Sequence, residues 1–240
     1  MAKDLQVGFE RTAKELGADL FGVADLAPAQ DFICKQGGEH LRKFPRAISI
    51  GIRLLDAVVD ELPRHEDPAV IFTYRAHWNS VNSRLDHIAL MLAKRVQEAG
   101  YQAYPIPAAY SFDADNLAGV VSHKLAANLA GLGWIGKSCL LVTPNCGPRV
   151  RFATILTNAP LRAGSPISQK CGGCKECVDI CPVNAFTGAS FDPSEPREAR
   201  FNARLCRDYG KTREKKFGEN KCSLCVYVCP YSKSKKKLAS

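Results

Sequence analysis

Apolar residues recur along the first 160 positions at two distinct periods. Leu5, Phe9, Ala13 and Leu16 stand three or four apart, which predicts an amphipathic helix over residues 5–16, stopped by Gly17. Leu20–Ala24 and Ala47–Leu54 are compact apolar runs that predict strands, the second of them buried. Residues 25–45 carry Pro28, Gly37, Gly38 and Pro45 and read as loop. Val81, Leu85, Ile88, Leu92 and Val96 share one side of a long helix over residues 78–99, with Asn79 as its N-cap and Gly100 past its end. Tyr101–Ile106 predicts a short strand. Leu117, Val120, Val121, Leu125 and Leu129 predict a helix over 115–130, begun by Asp113 or Asp115 as N-cap. Two more strands, Ser138–Thr143 and Arg149–Leu156, flank the turn at Pro144–Pro148. Pro, Gly and Ser then crowd Asn158–Lys170, which reads as a linker. The boundary is placed near residue 165, dividing 1–165 from 166–240.

Beyond that boundary the chemistry is written in cysteine. Of 11 cysteines in the chain, eight form one motif used twice. The first is Cys171-x2-Cys174-x2-Cys177-x3-Cys181-Pro182. The second is Cys206, followed by Cys222-x2-Cys225-x3-Cys229-Pro230. This is the spacing of bacterial ferredoxins, in which the fourth cysteine of each run ligates the other cluster. Three thiolates on a tight loop face three irons of one cubane; the fourth, on the turn that follows, points to its neighbour. Cluster one is therefore assigned Cys171, Cys174, Cys177 and Cys229, and cluster two Cys181, Cys206, Cys222 and Cys225. The 15 residues between Cys206 and Cys222 are a long insertion, which costs little in loop closure. Structural zinc is the competing reading, but zinc pairs one CxxC with another and has no use for a third cysteine and a trailing proline, twice. Cys34, Cys139 and Cys146 have no partner spacing. Cys139 is expected buried in an apolar strand, Cys146 exposed in a turn.

Charge adds a smaller point. The formal net charge is +9, and all of that excess falls after residue 196. Two clusters of about −2 each offset roughly four of those charges. Lys233, Lys235, Lys236 and Lys237 read as a solvated end rather than a nucleic-acid arm. No secretory signal or membrane span is seen, so a cytoplasmic setting and reduced cysteines are expected.

Residues 131–138, GLGWIGKS, satisfy both the P-loop pattern and G-x-G-x-x-G. Both need a strand before and a helix after. Here a helix precedes and a β-like segment follows, so no phosphate site is expected. The glycines point instead to a backbone passing close to something flat or bulky.

At this segment a resemblance emerges. Ala130–Lys137, then LLVTP, GPRVRFATILTNAPL and the double cysteine motif, together with Tyr74…Asn79 and GYQAYPIP, resemble the cobalamin-dependent epoxyqueuosine reductases and the reductive dehalogenases. The resemblance covers about residues 70–232. It implies an α+β chain: a nitroreductase-like three-layer domain at 1–165 binding base-off cobalamin, then a ferredoxin-like double [4Fe-4S] module at 166–240. Gly133, Trp134, Gly136, Lys137, Tyr74 and Asn79 become the corrin contacts, with core packing as the alternative role of Trp134. Bulky residues at Gly133 or Gly136 are then expected to block the corrin and spare the clusters. The departures are specific. The family's Asp proton donor falls at Leu117, out of register with Asp113 and Asp115; a Tyr acid of the dehalogenase kind has Tyr110 as its counterpart. His123 reads as a hydrogen-bonded structural residue. A short form, without the family's helical-repeat tRNA-binding extension, is expected. The implied partners are a low-potential ferredoxin or flavodoxin donor and a small-molecule or nucleoside-like substrate, with tRNA less favoured and no membrane. The alternative is an electron-transfer protein that reduces a separate corrinoid protein or enzyme.

Overall fold

The computed structural model describes residues 2–110 and 112–232; the lysines at 233 and 235–237 lie outside the described residues. In chain order the elements are α1 (Ala2–Glu15), β1 (Leu20–Asp25), α2 (Gln30–Gly37), β2 (Arg46–Arg53), α3 (Asp56–Asp60), α4 (Pro68–Glu98), β3 (Ala103–Ile106), α5 (His123–Leu129), β4 (Trp134–Ile135), β5 (Leu141–Val142), β6 (Val150–Thr157), α6 (Glu176–Asp179), α7 (Ala203–Phe217) and α8 (Leu224–Tyr227). The chain forms two compact units that interleave. One takes residues up to Ile52, Ser80–Gly133 and Arg151–Ile167; the other takes Arg53–Asn79, Trp134–Val150 and the chain from Ser168 onward.

The first unit is built on a four-stranded sheet of order β1-β2-β6-β3. β1 runs antiparallel to β2, and β3 antiparallel to β6, with Leu20 opposite Gly51 and Ala103 opposite Thr157. The central strands carry near-continuous apolar runs because both faces are covered: Ile48, Ile50, Ala153, Ile155 and Leu156 are fully buried. Leu85, Ile88, Leu92 and Val96 bury the predicted stripe of α4.

Five expectations need correction. The segment 25–45 is not all loop, since α2 carries Ile33 and Cys34 into the core. The long helix starts ten residues before the predicted position. Pro68 supplies a φ already suited to a first turn, and the Asp67 carboxylate accepts the Ala69 N–H at 2.9 Å. Asn79 therefore lies inside α4 and caps nothing. The helix predicted over 115–130 contracts to His123–Leu129, capped by Ser122, whose hydroxyl accepts the Leu125 N–H at 3.4 Å. Asp113 instead closes a turn: its carboxylate accepts the N–H groups of Asp115 (3.0 Å) and Asn116 (2.8 Å) and the Asn116 side-chain amide (2.6 Å). Apolar periodicity there was outvoted by local side-chain-to-backbone bonding. Finally, Cys146 is buried, its Sγ 3.0 Å from the Thr143 hydroxyl. Cys139 is buried as expected, but at a positive φ in a turn between β4 and β5 rather than in a strand.

His123 shows the structural role expected of it. Nδ1 stands 2.8 Å from the Thr154 hydroxyl, and Nε2 stands 3.0 Å from the Pro107 carbonyl. The carbonyl only accepts, so Nε2 carries the proton and Nδ1 accepts from Thr154. Burial pulls the imidazole pKa from 6.5 to about 4; the Pro107 carbonyl opposes this and nearby Arg151 adds to it. The folded state thus holds this ring neutral, and the unfolded chain binds the proton first as pH falls. Stability from His123 is complete above pH 6.5 and is lost progressively down to about 4. Denaturant unfolding at pH 7 and pH 5 is expected to show a loss on the order of 1–2 kcal/mol that His123→Gln abolishes. An unchanged pH slope in the variant contradicts this.

Candidate metal centres

The second unit holds all eight motif cysteines, none of them in a disulfide. In the first motif a turn places Cys171 and Cys174, with the Cys174 N–H on the Cys171 carbonyl at 2.9 Å. The short helix α6 carries Cys177, and Cys181 stands at its exit, its Sγ accepting the Ala185 N–H at 3.3 Å. The second motif repeats the plan. Cys225 rides on α8, and Cys229 leaves it in a turn closed by the Ser232 N–H at 2.8 Å. Cys206 lies on α7.

The thiols fall into two neighbourhoods. Burial pushes the Cys177 thiol up to about 11, and the charges of Cys229, Cys171 and Cys174 push in the same direction. Cys229 is likewise driven to about 11, by burial and by Cys171 and Cys174. Burial also raises Cys225, with Cys222, Cys206, Cys177 and Cys181 adding to it. Burial raises Cys206 as well, with Cys181 adding to it. The thiols that act on one another thus group mainly as Cys171, Cys174, Cys177 and Cys229, and as Cys181, Cys206, Cys222 and Cys225, with Cys177 and Cys225 in range of each other across the two sets. Ionising four crowded, half-buried thiols is unfavourable without a cation, and iron is what makes thiolates tolerable there. A cubane spreads its four thiolates over four irons, so its ligands stand farther apart than those of a single ion. Among the described residues no three His, Cys, Asp or Glu side chains converge as one ion requires.

A hairpin seats this arrangement. β4 pairs with β5, Trp134 opposite Val142 and Ile135 opposite Leu141. Lys137, in the turn between them, is buried, and its ammonium donates to the carbonyls of Gly172 (2.7 Å) and Cys174 (3.2 Å). A Cβ on Gly136 would lie 2.8 Å from a Val142 methyl and 3.4 Å from the Cys171 sulfur. Trp134, 1% exposed, meets Tyr231 edge-on at 4.8 Å, and the Tyr231 hydroxyl donates to the Lys170 carbonyl at 2.9 Å. Gly147, at φ +57°, lets the turn after β5 lie against Tyr231–Ser232, where a Cβ would meet the Ser232 nitrogen at 2.6 Å. Arg149 ties the hairpin to α3 through Asp56 (2.9 Å) and Asp60 (2.6 Å). The hairpin thus touches the loop of Cys171 and the turn of Cys229 at once.

This is the actual use of GLGWIGKS. Helix α5 precedes it, its Trp134–Lys137 stretch forms the first strand and turn of a hairpin, and the lysine is committed to two carbonyls. The other residues singled out from sequence are scattered. Tyr74 is buried on α4, Asn79 is exposed on the same helix, and Gly133 is buried with its carbonyl accepting from Asn128 at 2.9 Å. Tyr110 is 74% exposed. The Asn116 backbone and side-chain amides hold the Asp113 carboxyl below its usual range, the opposite of what a proton donor needs.

Residues 170–232 match the family model of a 4Fe-4S double cluster binding domain. The chain is 33% identical over 126 residues to the epoxyqueuosine reductase of Listeria monocytogenes, a match covering 48% of this chain and 31% of that protein. The chain therefore spans about a third of the length of that curated relative. By fold it is similar to an epoxyqueuosine reductase solved with an epoxyqueuosine-modified tRNA-Tyr stem loop, at TM-score 0.61 and 18% identity, covering 97% of this chain and 66% of that one. It is also similar to a reductive dehalogenase described for B12-dependent dehalogenation, at TM-score 0.68 and 20% identity, covering 95% and 31%. The resemblance read from the sequence is thus shown: to the reductases in sequence and to both groups in fold. The mixed helix-and-sheet architecture agrees, and among the described residues no helix is long and apolar enough to cross a membrane.

A Cβ at Gly136 would clash with the Val142 methyl and stand at ordinary contact distance from the Cys171 sulfur. A branched side chain at 136 would force the hairpin away from Val142 and the Cys171 loop, so Gly136→Val is expected to cost cluster one. Iron analysis of the reconstituted variant should give about half the wild-type content; full content overturns the seating. Lys137→Met removes two charge-assisted bonds of about 1.5–3 kcal/mol each and is expected to speed loss of the same cluster to a chelator at least tenfold. Lys137→Ala should leave Mg-ATP binding at background, checked by calorimetry on both proteins.

Proposed function

We propose that the chain is an iron–sulfur oxidoreductase of the epoxyqueuosine reductase-like kind, working with two [4Fe-4S] clusters and cobalamin. The observation that carries the reading is the pair of four-thiol neighbourhoods inside a segment that matches a double-cluster domain. The ligand sets are Cys171, Cys174, Cys177 and Cys229 for cluster one, and Cys181, Cys206, Cys222 and Cys225 for cluster two. When bound, the clusters supply one-electron storage and transfer at low potential. The chain's own part is to hold the thiols in register, to keep water from them with Trp134 and Tyr231, and to fix the Cys171–Cys177 loop through Lys137.

Cobalamin rests on likeness to the two groups and supplies, when bound, a cobalt centre for reductive bond cleavage. Trp134, Tyr74, Lys137, Gly133 and Gly136 are all buried in the chain alone, so none of the five offers a side chain to it. Asn79, exposed on α4, is the carried-over residue left to hold it. Residues 1–165 are assigned to it as a nitroreductase-like three-layer domain, and 166–240 to the clusters. Of the candidate proton donors, Tyr110 and Asp115 stand exposed, whereas Asp113 is locked in its turn. A cytoplasmic setting, a ferredoxin- or flavodoxin-type donor and a small or nucleoside-like substrate complete the reading, with tRNA as the less favoured partner.

The test is anaerobic reconstitution of the full chain with iron, sulfide and cobalamin. About eight irons per chain are expected, as two cubanes of four. Bound cob(II)alamin should give an EPR spectrum without nitrogen superhyperfine splitting. A folded protein carrying zinc and no iron sinks the cluster assignment. Intact clusters with no corrin bound at micromolar concentration sink the corrinoid half, and the chain is then an electron-transfer protein serving a separate corrinoid protein or enzyme.

A further inference from the structure

The insertion between Cys206 and Cys222 folds as α7, capped by Asn202, whose side chain accepts the Leu205 N–H at 3.0 Å. Cys206, Gly210, Arg213 and Phe217 fall at intervals of four, three and four, and so share one face of the helix. The chain returns against that face: a Cβ on Gly210 would stand 3.0 Å from the Asn220 carbonyl oxygen, two residues before Cys222. Arg213 sits in this seam, 2% exposed, its guanidinium 5.8 Å from the Tyr209 ring and 5.1 Å from the Phe217 ring.

Its hydrogen bonding does not close. Among the described residues its only partner is the His65 carbonyl, which accepts from Nη2. Nε and Nη1 are buried and bond to nothing, and no carboxylate pairs with the charge. A permanently charged, fully buried side chain with two spare donors requires an acceptor, and an anionic one. The Cys222 thiol lies close enough to feel its charge, and so does the His65 ring, whose two nitrogens are likewise buried without a partner.

We infer that Arg213 is the positioning and tuning residue of cluster two, its free Nε–H and Nη1–H directed to the sulfur of that cluster, so that cluster two accepts an electron more readily than its thiolate set alone allows. This rests on the cluster assignment above. Donors to cluster sulfur and nearby positive charge both favour the more negative, reduced state, which moves the potential upward. The insertion that looked like a tolerated loop thereby has a purpose, because it builds the helix that carries this charge.

The experiment uses the full chain, reconstituted anaerobically with iron and sulfide and titrated potentiometrically under EPR; the signal lost in Cys222→Ser identifies cluster two. Arg213→Met is expected to lower the reduced-to-oxidised ratio of cluster two at fixed potential at least tenfold, a shift of about 59 mV for one electron. Cluster one should stay in place. Arg213→Lys, which keeps charge but loses the fork, should fall between. Should Arg213→Met fail to hold cluster two, the wild-type protein decides: grown with guanidino-15N arginine, it should show 15N hyperfine coupling at reduced cluster two. An unmoved potential in a fully loaded variant, or no 15N coupling in the wild type, overturns the inference. Absence of iron from the wild type instead overturns the cluster assignment.

Discussion

The four thiols proposed for cluster one come from opposite ends of the cysteine-rich segment, and something must hold those ends in register. The β4–β5 hairpin does so. Lys137 grips the carbonyls of Gly172 and Cys174, while Trp134 and Gly147 receive Tyr231 and Ser232, immediately after Cys229. Each contact is tight because the hairpin is anchored behind by Arg149 on Asp56 and Asp60. Arg149 is buried and its partners are half exposed, so breaking one partner leaves the other to hold the guanidinium. The glycines at 136 and 147 are there for proximity: a side chain at 136 would clash with Val142 beside Cys171, and one at 147 would enter the turn after Cys229.

The second constraint is charge. Two clusters bring several negative charges into a unit whose thiols resist ionisation through burial alone. The unit meets this with buried cations that lack carboxylate partners, Lys137 near the first motif and Arg213 near the second. Uncompensated cations in a protein interior are costly unless an anion arrives, so the protein is built for the loaded state. That gives the basic bias of the C-terminal segment a local electrostatic purpose.

The cysteine motifs were legible because ligand spacing is a covalent constraint that tertiary structure cannot override. The strands of the first unit were legible for a related reason, since the runs around Ile48 and Ile155 are apolar enough to leave no other choice. Local chemistry decided where the reading failed. Asp113 satisfied its neighbours' N–H groups in a turn before a helix could form, and Pro68 with Asp67 began α4 well upstream of its apolar stripe. The role of Lys137 was hidden because its partners are backbone carbonyls, which leave no mark in sequence. Arg213 left a faint one, seven residues after Cys206 and hence on the same helical face, visible only once the insertion is known to be a helix.

The central claim is that the two motifs exchange their fourth cysteines. It is tested most directly by the thiol-alkylation footprint of anaerobically reconstituted Cys229→Ala, read by peptide mass spectrometry. The account predicts that Cys171, Cys174 and Cys177 become labelled while Cys206, Cys222 and Cys225 stay protected. Labelling of Cys222 and Cys225 with the first motif still protected would contradict it.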